Sequence, residues 1–341
     1  MNVSVCIPTY NQSQYLVQAV RSALNQTVVP AEIIVSDDCS TDDTAAVLEE
    51  LVQEIPILKV IRKAKNLGIS QNTDECLRQA TGDFVVRLDS DDLLGPSYLE
   101  KLSALLVNYP EAAYAHAAIQ EIDQRGNFLK QRVLARQSGF QASNEALLAA
   151  KKGYRVAANI VMFRRSALEA VNYSTGRPNY VEDFHLSASL AAAGYGNVYL
   201  NEVIAFYRVW TDAGKARQRR KLLEINGLHR VFEEVLAPAY AERKWDLAQL
   251  GKQRTVFACT QADCLGWDVY TAQEVAELTE ALQQLSPSRQ VKLFTWIYSK
   301  GFGFIPNAYA KSILILKSLV KNAIISKGRE SKSLAVVSEN S

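Results

Sequence analysis

The stretch Phe84-Val85-Val86-Arg87-Leu88-Asp89-Ser90-Asp91-Asp92 decides the reading of this chain. An apolar run ends abruptly in three carboxylates. Carboxylates at the tip of a buried strand are costly unless they meet a cation or a solvated cleft. Asp89 and Asp91 lie two apart, so one turn brings both to a single divalent ion. Hard oxygen ligands of this kind suit Mg2+ or Mn2+ beside a diphosphate. Roughly ninety residues on, Glu182-Asp183 precedes the apolar-periodic stretch Phe184 to Ala193 and offers a general base.

Working outward, the first hundred residues alternate strand and helix. Val3 to Ile7, Glu32 to Val35, Ile57 to Ile61 and Phe84 to Leu88 read as strands. Tyr15 to Leu24, Thr41 to Val52 and Ser70 to Gln79 read as helices, the second with Ser40 or Thr41 as its cap. Strands separated by ten-residue helices predict right-handed βαβ units and a mostly parallel sheet. Ligands of such sheets bind beyond the carboxyl ends of the strands. Those ends are Pro8-Thr9-Tyr10-Asn11, Asp37-Asp38 and the acidic run at 89–92, all polar or acidic.

Further along, Pro96 opens a helix to about Val107, Ala112 to Ile122 is a strand, and Asp123 to Asn127 is a turn. Residues 130–155 resist assignment. Ile160 to Phe163 reads as a strand, Phe184 to Ala193 as a helix ended by Gly194, and Val198 to Tyr207 as a hairpin-like pair. From Lys215 long helical patterns take over: Lys215 to Leu236, Tyr240 to Leu265, Thr271 to Leu285 and Ser288 to Lys300. The expected organisation is a catalytic domain over 1–210, a helical region over 211–327 and a disordered polar tail over 328–341. Within the first, 1–95 and 96–210 form two halves.

Apolar residues make up 48% of the 341, enough for a sizeable core, and a net charge of +2 argues against a nucleic-acid binder held by a strong field. The five cysteines form no C-x-x-C pair and read as reduced thiols of a cytosolic protein. The N-terminus runs straight into a strand pattern, so no secretory signal is expected, and no apolar run is long enough to predict a spanning helix.

Val3-Ser4-Val5-Cys6-Ile7-Pro8-Thr9-Tyr10-Asn11 closely resembles the opening of family 2 glycosyltransferases of the GT-A fold. The likeness continues through Ser22-Ala23-Leu24-Asn25-Gln26-Thr27, Glu32 to Asp42, Asn66-Leu67-Gly68, Ala80-Thr81-Gly82-Asp83 and Leu88 to Asp92. It is looser to about Arg208 and absent from the helical C-terminus. The resemblance implies a GT-A, Rossmann-like sheet flanked by helices and an inverting transfer of sugar from a UDP- or dTDP-type donor to a hydroxyl. The acceptor would be a glycan or lipid-linked sugar in surface polysaccharide assembly at the cytoplasmic side.

It also implies roles. Pro8, Thr9, Tyr10 and Asn11 line the nucleotide, with Thr9 and Tyr10 at the base. Asp38 accepts the pyrimidine N3–H, Asp37 supports the turn, and Asn66, Asp89, Ser90 and Arg208 complete the nucleotide site. Asp89, Asp91 and Asp92 hold Mn2+ or Mg2+. Asp183 is the base, with Glu182 in reserve. Plainer readings remain open for each: Asp37-Asp38 as a helix cap, the run at 89–92 as a solvated turn, and Glu182-Asp183 as first-turn acids favoured by a helix dipole. Two rival functions are a sugar-phosphate nucleotidylyltransferase, which should show a Gly-rich loop after the first strand, and a non-catalytic protein of the same fold.

One departure is clear. The family often has Tyr-Arg-x-His near the end of this domain, and this chain has Tyr207-Arg208-Val209-Trp210. A further feature lies outside the resemblance. Over Tyr309 to Ile325, Ile313, Leu316, Val320 and Ile324 share one helical face opposite Lys311, Lys317 and Lys321. Such a helix either lies on an anionic membrane surface or packs on the protein.

Overall fold

The computed structural model describes residues 2–174, 181–210 and 214–303, without the side chains of 216 and 217. The expected membrane-surface helix and the tail fall outside that range. By compactness the chain divides into two units, 1–256 and 257–341.

The first unit is built on a ten-stranded sheet. Its strands are β1 (Val3–Thr9), β2 (Glu32–Asp37), β3 (Leu58–Arg62), β4 (Phe84–Arg87), β5 (Leu93–Leu94), β6 (Ala112–Ile122), β7 (Phe128–Arg132), β8 (Gly139–Gln141), β9 (Val161–Arg164) and β10 (Gly196–Arg208). They run in the order β3-β2-β1-β4-β9-β6-β10-β5, with β7 on β6 and β8 on β10. The first four are parallel, joined by α1 (Ser13–Leu24), α2 (Thr44–Glu54) and α3 (Ile69–Arg78). Helices cover both faces, so β1, β2 and β4 are buried throughout and read as continuous apolar runs. Strand β9 enters antiparallel between β4 and β6, which makes the sheet mixed. The carboxyl ends of β1, β2, β4 and β6 therefore share one edge, and the strand order turns outward in both directions from β1. That is where open α/β sheets leave a crevice.

Later helices back this frame: α4 (Tyr98–Asn108), α5 (Ser143–Ala150), α6 (Arg165–Ala170) and α7 (Glu182–Ala192). Residues 130–155 resolve into β7, β8 and α5, short pieces whose periodicity is too brief to register. The expected hairpin over Val198 to Tyr207 is instead one long strand, β10. The polar pair Asn201-Glu202 lies within it. It sits where β10 stops pairing with β8 and, after a register shift, goes on to β5. Helix α2 starts at Thr44 rather than Thr41, because Asp42 Oδ1 accepts from the Thr44 amide at 3.1 Å and from its hydroxyl at 2.5 Å. The pattern Tyr240 to Leu265 breaks at Lys244, whose φ is 56°.

The change of character at 211 marks the end of the sheet, but the compact unit runs on to Val256. Helices over 221–242 bury Ile225, Phe232, Leu236 and Tyr240, and Arg243 donates to the carbonyl of Ala192 at the end of α7. In the second unit, Thr271 and Glu274 form a reciprocal cap on the helix Ala272–Leu285, and Ser288 caps Arg289–Ser299. Among the described residues no helix is long and apolar enough to cross a membrane.

At the opposite edge of the sheet from the crevice, Glu32 ties three segments together. It accepts from Ser4 Oγ at 2.6 Å, from the Thr81 amide and hydroxyl, each at 2.7 Å, and from Lys59 Nζ at 2.6 Å. Burial alone would raise its pKa, but the bonds from Lys59, Ser4 and Thr81 outweigh it and hold the carboxyl down at about 2. A depressed carboxyl stabilises the fold above its unfolded pKa and loses that contribution as pH falls toward 2. Glu32→Gln should therefore cost about 2 kcal/mol at pH 7, with the partly exposed lysine discounted. The gap to wild type should narrow by pH 3.5 in urea unfolding; an unchanged gap would contradict the assignment.

Candidate functional site

Beyond β4 the chain makes a tight turn, with the Asp92 amide donating to the Asp89 carbonyl at 3.0 Å. The last residue of β4 is Arg87, whose side chain is 5% exposed. Its Nε donates to Asp89 Oδ1 at 3.0 Å, and its Nη1 donates to Asp183 Oδ1. One guanidinium thus joins the two acidic clusters that are far apart in sequence. Burial opposes its charge, but the carboxylates of Asp183 and Asp89 prevail and keep Arg87 protonated. Sequence reasoning missed this residue. Its one signal was a lone charge inside the apolar run Phe84 to Leu88.

Asp183 and Glu182 both open α7 but face different partners, as residues 100° apart on a helix must. Asp183 takes Arg87, while Glu182 is buried beside Ser70 of α3, and its Oε2 has no described partner. Burial raises both pKa values. Burial and the charge of Asp183 push Glu182 up to about 7. Burial likewise lifts Asp183, but its ion pair with Arg87 works against that rise. The helix terminus is therefore not the main influence on Asp183; burial and Arg87 are. Two neighbouring carboxyls with environments this different are suited to different roles.

The nucleotide-side loops are laced to one another. Asn11, at φ 52°, accepts from the Thr41 amide at 2.8 Å, and its own amide donates to Ser40 Oγ at 2.9 Å. Asp37 Oδ1 accepts from the Ser40 amide at 3.1 Å, supporting the turn. Asp38, 1% exposed, accepts from the Leu67 amide at 2.7 Å and the Gly68 amide at 2.8 Å. It fastens the loop that carries Asn66, whose Oδ1 also accepts from Gly68. Gly68 has φ 85° and ψ 159°, a conformation open in practice to glycine alone. Pro8 and Thr9 are buried, and the Thr9 hydroxyl has no described partner. Tyr10 is 45% exposed and presents its ring outward.

Two expected site residues have other work. Arg208 was expected at a phosphate, yet it is 3% exposed and every guanidinium nitrogen donates within the protein. Nε bonds the Asp91 carbonyl and Nη1 the Asp123 carbonyl, both at 2.8 Å, Nη2 reaches Gln18, and the group lies over the Tyr15 ring. Asp92 was expected as a metal ligand. It is 1% exposed and accepts the Arg208 amide at 2.7 Å, so it pins the end of β10 to the turn. Trp210, at the position of the family histidine, donates from Nε1 to Asp91 Oδ2 at 2.6 Å. Ser90 is buried inside the turn.

Asp89 and Asp91 suit a divalent cation. Burial and the charge of Asp89 raise the Asp91 pKa, a surplus of negative charge that such a cation would offset. Among the described residues no group of three or more acidic, histidine or cysteine ligands gathers. Two carboxylates would hold a cation only together with donor oxygens and water.

Comparison with known proteins matches residues 4–171 to the family described as glycosyl transferase family 2. The chain is 37% identical over 127 residues to a chondroitin synthase of Escherichia coli, which is 37% of this chain but 18% of that protein. Against a chondroitin synthase of Pasteurella multocida it covers 10%. It is thus similar to a small part of those proteins. It is 27% identical over 234 residues to the putative glycosyltransferase EpsE of Bacillus subtilis, covering 68% of this chain and 81% of that one. The structure of S. aureus TarS 1-349 superposes with a TM-score of 0.63 over 92% of both chains at 17% identity, a likeness of fold.

The unequal environments of the two acids give a test. A carboxyl raised by burial costs nothing below its unfolded pKa, and the cost grows as pH rises from that value to the folded one and is constant above it. Glu182→Gln should add about 2 kcal/mol of stability at pH 8 and far less at pH 5. Equal effects at both pH values in chemical denaturation would mean that Glu182 is ionised throughout.

Proposed function

We propose, from the match of residues 4–171 to glycosyl transferase family 2, an inverting, metal-assisted transfer from a UDP- or dTDP-type sugar to a hydroxyl. The observation that carries the reading is the Arg87 bridge, which brings Asp89 and Asp183 together at the carboxyl edge of the sheet. A nucleotidylyltransferase is disfavoured by Pro8-Thr9-Tyr10-Asn11, which has no glycine where a Gly-rich loop is needed.

Tyr10 offers an exposed ring to the base, and the Thr9 hydroxyl and the remaining lone pairs of Asp38 are its polar neighbours. TarS has been seen with UDP and with UDP-GlcNAc, which favours a UDP-sugar here. Asp89 and Asp91 would hold Mn2+ or Mg2+, which when bound neutralises the diphosphate as it leaves. Asp183 takes the proton of the acceptor hydroxyl. The acceptor oxygen bonds to the anomeric carbon as the bond to the diphosphate oxygen breaks, and that electron pair leaves with the diphosphate. Attack from the opposite face inverts the configuration. Glu182, buried and lifted to about 7 on the same turn, is the reserve candidate for the base.

The acceptor would be a glycan or lipid-linked sugar of a surface polysaccharide, met at the inner face of the membrane. The lysines at 311, 317 and 321 among apolar residues suit an anionic bilayer. Changing Lys311, Lys317 and Lys321 to Glu should abolish co-sedimentation with anionic vesicles; wild-type protein that stays in the supernatant would discard the membrane reading. The chemistry is tested by UDP release across a donor panel. Asp183→Asn should lose about 10²–10⁴ in rate with UDP binding intact. Asp91→Ala should lose the Mn2+ response while staying folded. Near-normal turnover of Asp183→Asn would move the base elsewhere, and an unaltered Mn2+ response in Asp91→Ala would remove the cation from this turn.

A further inference from the structure

Arg87 is buried, yet it is bonded to two residues that the proposed reaction keeps apart: an acid on the diphosphate side and the base. We propose that Arg87 is a positioning residue for the transfer, holding Asp183 by one oxygen so that the other is presented to the acceptor at a fixed distance from Asp89. This rests on Asp183 being the base.

The geometry supports this in three ways. First, the described bonds of Asp183 engage only Oδ1, and its side chain keeps 20% exposure, so Oδ2 is the oxygen left for substrate. Second, Arg87 is the one described cation bonded to Asp183, and no other described cation lines the cavity beside the pair. The small cavity beside the pair is walled by Tyr114, Tyr154, Val161, Phe163 and Asn159. Third, Arg87 itself ends β4 and Asp183 lies in the first turn of α7, so the guanidinium links two regular elements, with Asp89 in the turn directly after β4. A planar fork with separate donors can bond two carboxylates at once, whereas an ammonium on a flexible stem acts as a single point charge. Stability alone explains the arrangement poorly. A buried cluster of one cation and two anions is weak evidence of stabilisation, since apolar packing of equal volume often does as well. A misplacement of about 1 Å at a reacting group, by contrast, can cost about 10²-fold in rate.

A double-mutant cycle separates positioning from folding. Wild type, Arg87→Lys, Asp183→Asn and the double variant are compared as full chains. The readout is UDP release from the fastest donor in a panel of UDP-sugars, with UDP affinity measured by calorimetry. Arg87→Lys should lower kcat by about 10²-fold and leave UDP affinity within about twofold, well under the tenfold that 1.4 kcal/mol would bring. In the Asp183→Asn background the same change should cost less than about threefold, because a residue acting through Asp183 has nothing left to position. An equal cost in both backgrounds, or loss of UDP affinity in step with kcat, overturns the proposal. Near-normal turnover of Asp183→Asn alone instead sinks the base reading, and this proposal with it. Should Arg87→Lys not fold, Arg87→Gln is carried through the same cycle; if neither folds, Arg87 serves the fold and the proposal falls.

Discussion

The guanidinium of Arg87 lies between carboxylates contributed by the turn after β4 and by α7, and much of the crevice is arranged around that contact. Removing one partner from a buried ion pair leaves an uncompensated charge and typically costs about 3–5 kcal/mol. The sheet meets this demand by construction. Strand β4 is central, flanked by β1 and β9, so the position of Arg87 is fixed on both sides. Helix α7 is held from behind by α5 and the helices that follow the sheet, so Asp183 is fixed as well. The long excursion between residues 92 and 182 returns the chain to within one side chain of its starting point.

A second constraint acts beside the first. Asp92 and Arg208 join the turn after β4 to the end of β10, the last strand of the sheet in sequence. Arg208 also gathers the Asp123–Gln124 turn and stacks on Tyr15 of α1. The acidic run thus faces two ways: Asp89 and Asp91 toward the crevice, Asp92 into the protein.

The first hundred residues were legible because their strands are buried on both faces and their turns are punctuated by polar residues. Periodicity and turn chemistry are local, and Val3, Glu32 and Phe84 each open a strand as their patterns predict. The acidic positions were legible for the same reason. Their partners were not. Whether an arginine meets a phosphate or three carbonyls depends on residues over eighty positions away, as Arg208 illustrates, and no local pattern carries that information. Arg87 was hidden by its setting, since a single charge in a strand is usually an edge residue. The hairpin expected over Val198 to Tyr207 failed on a related point. A polar pair within a strand can mark a change of partner as readily as a turn.

The bonds that Asp38 accepts from the amides of Leu67 and Gly68 have a consequence for how this chain can vary. The loop after β3 is fastened through its main chain, by the ion pair of Lys63 with Glu75 and by Asn66, while the side chains of Ala64 and Lys65 make no described hydrogen bond or ion pair. Ala64 and Lys65 are exposed there. A loop anchored in this way can change its side-chain chemistry without losing its shape. Selectivity at this margin of the crevice is therefore free to drift during evolution, or to be altered by design, while the scaffold beneath it stays constant.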